Sequence, residues 1–403
     1  MKKKIIYIEQ YFYPEGGGQA QISRDIVLNL KKKDNEIIVF CGDKPYHKAS
    51  LDDKFYPSKY GIKIIHIPII FESRKLFLRF QNYLFFSIGA FFKLLFINDI
   101  SLIISQTNPP GVIVVSAMIS FLKKIPFIII SMDLYPEVLI KNINKENLSF
   151  LYKFLLKVFN RSYCQSNKVV SLGKNMTNQL LSKGILLKNI VTIPNWATGD
   201  LTIKRNTKNK LEKQWGVKKG IKILYSGNLG IAHEFETIFQ GIKSSNLSPE
   251  DLQTIFVGFG SRLFEVKELS KSLPYDSSIL IKSYVKASEM PLTMSLASMG
   301  LVTLRKNFSG LVFPSKFAGY LARGIAILYI GPDSEISEII NKYKLGFCFK
   351  NGESEKLSDF LINLKKDQNI LKIYGENAKK FYESNLSSKI GLKKYSELVS
   401  EFV

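Results

Sequence analysis

Three stretches of this 403-residue chain carry residue types that could do chemistry. In the second half, Arg305 follows a β-branched run, and Pro314-Ser315-Lys316 opens a helical pattern that continues to Arg323-Gly324. Proline suits a first helical turn, but a lysine there opposes the helix macrodipole, which favours acids at that end. An anion bound at the helix start reverses the preference, so Arg305, Ser315 and Lys316 read as a diphosphate clamp. In the first half, Ser131-Met132-Asp133-Leu134-Tyr135-Pro136-Glu137 follows a run of isoleucines. That puts Asp133 and Glu137 where open α/β sheets bind ligands, as acceptors for a sugar hydroxyl or as general bases. Capping a helix is the alternative role for Asp133. The third stretch, Glu15-Gly16-Gly17-Gly18, joins a predicted strand at 5–9 to a predicted helix at 19–33. Consecutive glycines let backbone N–H groups approach a ligand, and phosphate suits the helix N-terminus that follows. The spacing misses the G-x-G-x-x-G dinucleotide fingerprint, and no acidic residue follows a second strand in the expected place.

Alternating strand and helix patterns must position these stretches. Short β-branched runs at 5–8, 36–40, 62–67, 102–105, 126–131, 168–171 and 190–193 predict seven strands with helices between them. Residues 195–213 are polar and lysine-rich and read as a linker leading into a helix. The pattern restarts at 221–225, with a second glycine turn at 226–230, and adds strands at 254–257, 279–283, 300–303, 325–329 and 346–349. The expected fold class is therefore α/β, with two doubly wound Rossmann-like domains. Their ligand crevices lie at the carboxyl ends of the strands, and an interdomain cleft results if those ends face each other.

Lys and Arg total 57 against 34 Asp and Glu, a formal charge of +23. A balance this basic suggests a polyanionic partner. Only eight of the basic residues are arginine, the residue nucleic-acid recognition favours, so a nucleic-acid partner is not expected. Three widely spaced cysteines make neither a disulfide framework nor a metal pattern, and suit a reducing cytosol. Three scattered histidines give no structural zinc. The apolar run after the basic start is too short for a signal peptide. The interval between Arg79 and Lys93 falls short of a spanning helix. The mixture of basic and aromatic residues over 74–93 is that of a helix lying on an anionic membrane surface.

Taken in order, Tyr13 to Gly18, Asp133-Leu134-Tyr135-Pro136-Glu137, Ile193-Pro194-Asn195-Trp196, Tyr225-Ser226-Gly227-Asn228-Leu229-Gly230, Phe256-Val257-Gly258-Phe259-Gly260 and Pro314-Ser315-Lys316 through Arg323-Gly324 resemble a bacterial family 4 glycosyltransferase of the GT-B fold. The resemblance is to the branch that builds surface polysaccharides and O-antigens, including the L-fucosamine transferases. It implies a retaining transferase that moves a sugar from a UDP- or GDP-sugar donor to an undecaprenyl-diphosphate-linked or saccharide acceptor. The expected location is the cytoplasmic face of the plasma membrane, as a peripheral protein. It implies an acceptor domain over 1–200, a donor domain over 201–380 and a last helix over 381–403 returning to the first. Gly227, Asn228, Gly258, Arg305, Ser315 and Lys316 then hold the donor. Asp133 orients or deprotonates the acceptor hydroxyl, and Glu15, Gly16, Gly17, Gly18 and Glu137 line the acceptor side. No cofactor and no metal are expected, because no Asp-x-Asp pair is placed for one.

Two departures stand out. Many relatives carry an arginine and then a lysine after the first strand of the second domain, where this chain has Asn228 and His233-Glu234. Their paired glutamates would fall near Leu311 and at Gly319. Arg305 and Lys316 are the replacement cations. A nucleotide-sugar epimerase on the same fold and a catalytically weakened partner subunit are the alternative readings.

Overall fold

A computed structural model describes residues 3–12, 17–31, 35–44, 57–70, 76–140, 149–203 and 209–403. Glu15 and Gly16 lie outside the described residues, as do 204–208 of the expected linker. By its contacts the chain divides into two units. One comprises Met1–Asn195, Gly310–Phe313 and Ser388–Val403; the other comprises Trp196–Ser309 and Pro314–Ser387.

The first unit is built on seven parallel strands: β1 (Lys3–Ile8), β2 (Asn35–Gly42), β3 (Ile62–Ile67), β4 (Ile100–Gln106), β5 (Phe127–Ile130), β6 (Lys168–Ser171) and β7 (Ile190–Thr192). Their order in the sheet is β3-β2-β1-β4-β5-β6-β7. The central strands are near-continuous β-branched runs, and Ile5, Ile6, Ile8, Ile103, Ile104, Ile128, Ile129 and Ile130 are all buried, as expected for a sheet covered on both faces. Helices α1 (Gly18–Leu30), α2 (Leu76–Leu95), α3 (Val112–Lys123), the short α4 (Glu137–Ile140), α5 (Ser149–Gln165) and α6 (Lys174–Ser182) connect them. Right-handed crossovers put α2, α3, α5 and α6 on one face, because those steps move along the sheet in one direction. The opposite step from β1 to β2 puts α1 on the other face.

The second unit carries six parallel strands: β8 (Ile221–Ser226), β9 (Leu252–Val257), β10 (Ile279–Lys282), β11 (Met299–Thr303), β12 (Ala326–Ile330) and β13 (Gly346–Phe349), in the order β10-β9-β8-β11-β12-β13. Its helices are α7 (Lys210–Trp215), α8 (Glu236–Ser245), α9 (Leu263–Ser270), α10 (Met290–Ser295), α11 (Lys316–Leu321), α12 (Glu335–Tyr343), α13 (Ser354–Lys366) and α14 (Asn369–Asn385). Ile221, Ile223, Tyr225, Phe239, Phe256 and Leu301 centre one core, in which the Phe239 and Phe256 rings stack 5.8 Å apart. Each such side chain contributes about 1.5–3 kcal/mol by leaving water. The last helix, α15 (Ser388–Ser400), belongs to the first unit, where it packs on α1 and its Leu392 carbonyl accepts a hydrogen bond from Asn29.

One expected element is shorter than its pattern. The helix opened by Pro314 stops at Leu321 and gives way to a turn before Arg323-Gly324. Six residues carry little macrodipole, so Lys316 gains less from that helix end than the sequence argument required.

Candidate functional site

In the second unit, the carboxyl ends of β8, β9 and β11 converge on the loop from Gly227 to Glu234. Gly227 has φ +132° and Gly258 has φ +148°, both in the region that favours glycine. A Cβ on Gly258 would lie 2.0 Å from the Gly227 carbonyl oxygen, and one on Gly227 would lie 3.0 Å from Lys316 Cε. The two turns are therefore pressed together, and only glycine fits between them. Tyr320 of α11 fixes the turn from beneath: its hydroxyl donates to the Leu224 carbonyl (2.7 Å) and accepts from the Ser226 N–H (2.9 Å). Ser315 is exposed at the start of that helix and makes no side-chain cap.

Lys316 folds back over this turn. Its ammonium stands 4.4 Å from the Tyr225 ring centroid, 3.3 Å from the Asn228 carbonyl oxygen and 3.4 Å from His233 Nε2. A π-face, a carbonyl and an imidazole are soft partners for a cation. Among the described residues no carboxylate pairs with it. Burial pushes its pKa down from the usual lysine value to about 7.

His233 is set from its other nitrogen. Nδ1 lies 2.9 Å from the Thr303 carbonyl oxygen and so carries the proton, leaving the Nε2 lone pair toward Lys316. Burial, and then the Lys316 charge, hold its pKa well below the ordinary histidine value, so the ring stays neutral. The same loop positions Arg305, whose N–H donates to the Ala232 carbonyl at 2.8 Å. The Arg305 side chain is half-buried and has no hydrogen-bond or ion-pair partner among the described residues. Arg262 differs: it forms a bidentate pair with Glu265, donates to the His233 carbonyl, and braces the loop. Glu234 accepts from the Thr237 N–H and hydroxyl at the start of α8, which makes it a cap. Sequence reasoning did not single out Tyr225 or Arg262 and met His233 only as a departure. A lysine-to-histidine exchange beside a glycine turn was the available signal.

The first unit places Asp133 after β5, paired through its backbone with Val312 in an antiparallel bridge and donating its N–H to Thr107 Oγ1 at 3.2 Å. It caps no helix, because α4 begins at Glu137. No hydrogen bond reaches its carboxyl oxygens among the described residues, and burial raises its pKa to about 6. Glu137 is instead an ion-pair partner of Lys183, which also donates to Asn160 at 3.1 Å. That pairing gives Glu137 a partner within the first unit and fixes one of its carboxylate oxygens. A buried network that the sequence did not reveal closes the end of β1. Ser23 donates to Glu9, and Gln106 Nε2 donates to the Tyr7 hydroxyl and to Ser23 Oγ, both at 2.6 Å.

Gly17 and Gly18 open α1, with Gly17 at the cap position in extended backbone. A Cβ on Gly17 would meet nothing within 4 Å, so the fold itself does not require glycine there. Gly17→Leu is therefore expected to melt within a degree or two of the parent in a thermal scan. A fall of several degrees would show that this cap position is packed after all.

Residues 207–381 match the family model described as Glycosyl transferases group 1. The chain is 23% identical over 264 residues to the uncharacterized glycosyltransferase MJ1069 of Methanocaldococcus jannaschii, covering 64% of each chain. It is 23% identical over 251 residues to the probable glycosyltransferase WbjE of Pseudomonas aeruginosa, covering 61% of each. The matched stretches thus span a little over three-fifths of these curated relatives. Among solved structures, Anabaena Alr3699/HepE in complex with UDP-glucose superposes over 99% of both chains with a TM-score of 0.70 at 15% identity. The sheet order, the helices on both faces and that superposition make the fold of the chain GT-B, and residues 207–381 of its second half are similar to the group 1 glycosyl transferases.

Proposed function

We propose that this chain is a retaining glycosyltransferase that binds the diphosphate of a UDP-sugar through Lys316 and Arg305. One observation carries the reading: the Lys316 ammonium lies over the Gly227 turn with no carboxylate partner among the described residues, and Arg305, held to the same loop through the Ala232 carbonyl, makes no ion pair among them, with Glu265, Glu234 and Glu236 acting on it only from farther off. A buried cation without a counter-ion is costly, and a diphosphate supplies the missing charge. UDP is favoured over GDP because a structural neighbour holds UDP-glucose.

In the transfer, the bond from the anomeric carbon to the diphosphate oxygen breaks, and the leaving nucleotide takes the electron pair. Lys316 and Arg305 stabilise the developing charge. The acceptor oxygen bonds to the anomeric carbon, and its proton passes to the Asp133 carboxylate. The acceptor is a saccharide or a polyprenyl-diphosphate-linked sugar, in synthesis of a cell-surface polysaccharide, with the enzyme peripheral on the cytoplasmic leaflet. Calorimetry with UDP and GDP tests the donor half directly: micromolar UDP binding is expected, and no binding to either nucleotide would overturn the proposal. With two protein cations on the diphosphate, turnover is expected to be unchanged by chelation. Loss on chelation with recovery on adding manganese would assign part of that charge to a metal.

A further inference from the structure

The outer faces of α2, α3 and α5 form a continuous apolar surface. On α2, Phe80, Leu84, Ile88 and Phe92 recur every four residues, and all are exposed. A four-residue spacing keeps side chains on one stripe of a helix, so this stripe faces away from the sheet that buries Phe86, Ala90 and Leu94. Phe96, just beyond the helix, is 83% exposed. On α3, Phe121 is 77% exposed, with Met118 and Leu122 beside it; on α5, Phe150 is 84% exposed and Phe154 follows one turn later. α3 packs against both α2 and α5, and all three cover the same sheet face, so these side chains point the same way. Exposed apolar surface on this scale marks an interaction site.

Charge identifies the occupant. The three helices together hold 49 residues (20, 12 and 17) without one Asp or Glu. They carry six basic residues: Arg79, Lys93, Lys123, Lys153, Lys157 and Arg161. Lys153, Lys157 and Arg161 are exposed and continue the line of Phe150 and Phe154 along α5. A second copy of this chain is disfavoured, because a two-fold contact would bring these cations against one another. Among the described residues no helix is long and apolar enough to cross a membrane. Aromatic stripes edged by cations and free of acids suit the boundary between anionic headgroups and acyl chains.

We propose that the joint outer face of α2, α3 and α5 docks on an anionic lipid bilayer, with phenylalanines entering the headgroup boundary and the α5 cations pairing with lipid phosphates. The docking face deepens the lipid-linked acceptor reading and rests on it, but its test is separate from the donor site. The full chain is sedimented with vesicles of phosphatidylethanolamine and phosphatidylglycerol, and with vesicles of phosphatidylcholine alone. At least tenfold stronger binding to the anionic vesicles is expected. Lys153→Gln/Lys157→Gln/Arg161→Gln should weaken that binding by roughly a hundredfold, about fivefold per charge. Phe92→Ser/Phe121→Ser/Phe150→Ser should reduce what remains at high salt, when electrostatic attraction is screened. Thermal scans and UDP calorimetry on the same variants should match the parent, which separates a failed docking face from a misfolded chain or a failed donor site. Equal binding to both vesicle types, unchanged binding by the α5 variant, or a dimer dispersed by the phenylalanine variant without any lipid binding would each overturn the proposal.

Discussion

Replacing Lys316 with methionine is expected to weaken UDP binding by about 10- to 100-fold, the value of one or two hydrogen bonds from a charged donor. Methionine keeps the apolar stem over Tyr225 and removes only the ammonium. Because that ammonium sits among soft partners with no counter-ion, the variant should melt no lower than the parent. The pH dependence makes the test sharper. In the free protein burial holds the Lys316 pKa down to about 7, and a bound diphosphate raises it again. Between the two values binding takes up a proton, so UDP affinity should fall as pH rises above about 7, by at most tenfold per pH unit. Arg305 stays protonated throughout and contributes no such slope. In Lys316→Met the slope should vanish. Calorimetry at about pH 5.5 and about pH 8.5 (roughly one and a half units either side of neutrality) checks both parts. UDP affinity within about twofold of the parent would remove Lys316 from the donor site.

Asp133→Asn should lower kcat by about 100- to 10,000-fold, the range of a positioned general base, without loss of stability. The carboxyl is buried with no hydrogen bond to its oxygens, and burial lifts its pKa from 3.8 to about 6. The unfolded chain therefore binds fewer protons than the folded one between these values, and stability falls as pH rises from about 4 to about 6. Asparagine has no proton to lose, so the variant should escape that fall and melt at or above the parent temperature at pH 7. A base must be ionised, so the parent's kcat/KM should rise through pH 6. It should then decline as Lys316 loses its proton above 7, giving a narrow bell. Near-parent turnover in Asp133→Asn would make the residue part of the loop's architecture only.

The central strands were legible because they are buried on both faces: the isoleucine run of β5 is buried throughout, and the run at 168–171 ends where β6 ends. The sheet-edge strands β3 and β13, which are only partly buried, were legible from alternation and from the turns that bound them. Helix ends were less legible. The periodicity after Pro314 continues to Arg323, yet α11 closes at Leu321, where Gly324 at φ +63° turns the chain and the Ile325 N–H bonds back to the Tyr320 carbonyl. Site residues divided in the same manner. Gly227 and Gly258 were visible as glycines after strands, a local pattern. The ion-pair partner of Glu137, Lys183, lies 46 residues away and was not visible in any local pattern.

Composition, strand–helix alternation and the glycine turns by themselves determined a basic α/β chain with two parallel sheets. These properties depend on local periodicity and on residue type, which a sequence states outright. The electrostatic state of the site was decided by tertiary structure alone. Lys316 is one lysine among many until folding brings His233 and Asn228, 83 and 88 residues earlier, against its ammonium. Asp133 is an ordinary aspartate until burial strips its carboxyl of water. Desolvation and the absence of a counter-ion belong to the space around a side chain, and that space is filled by residues distant in the chain.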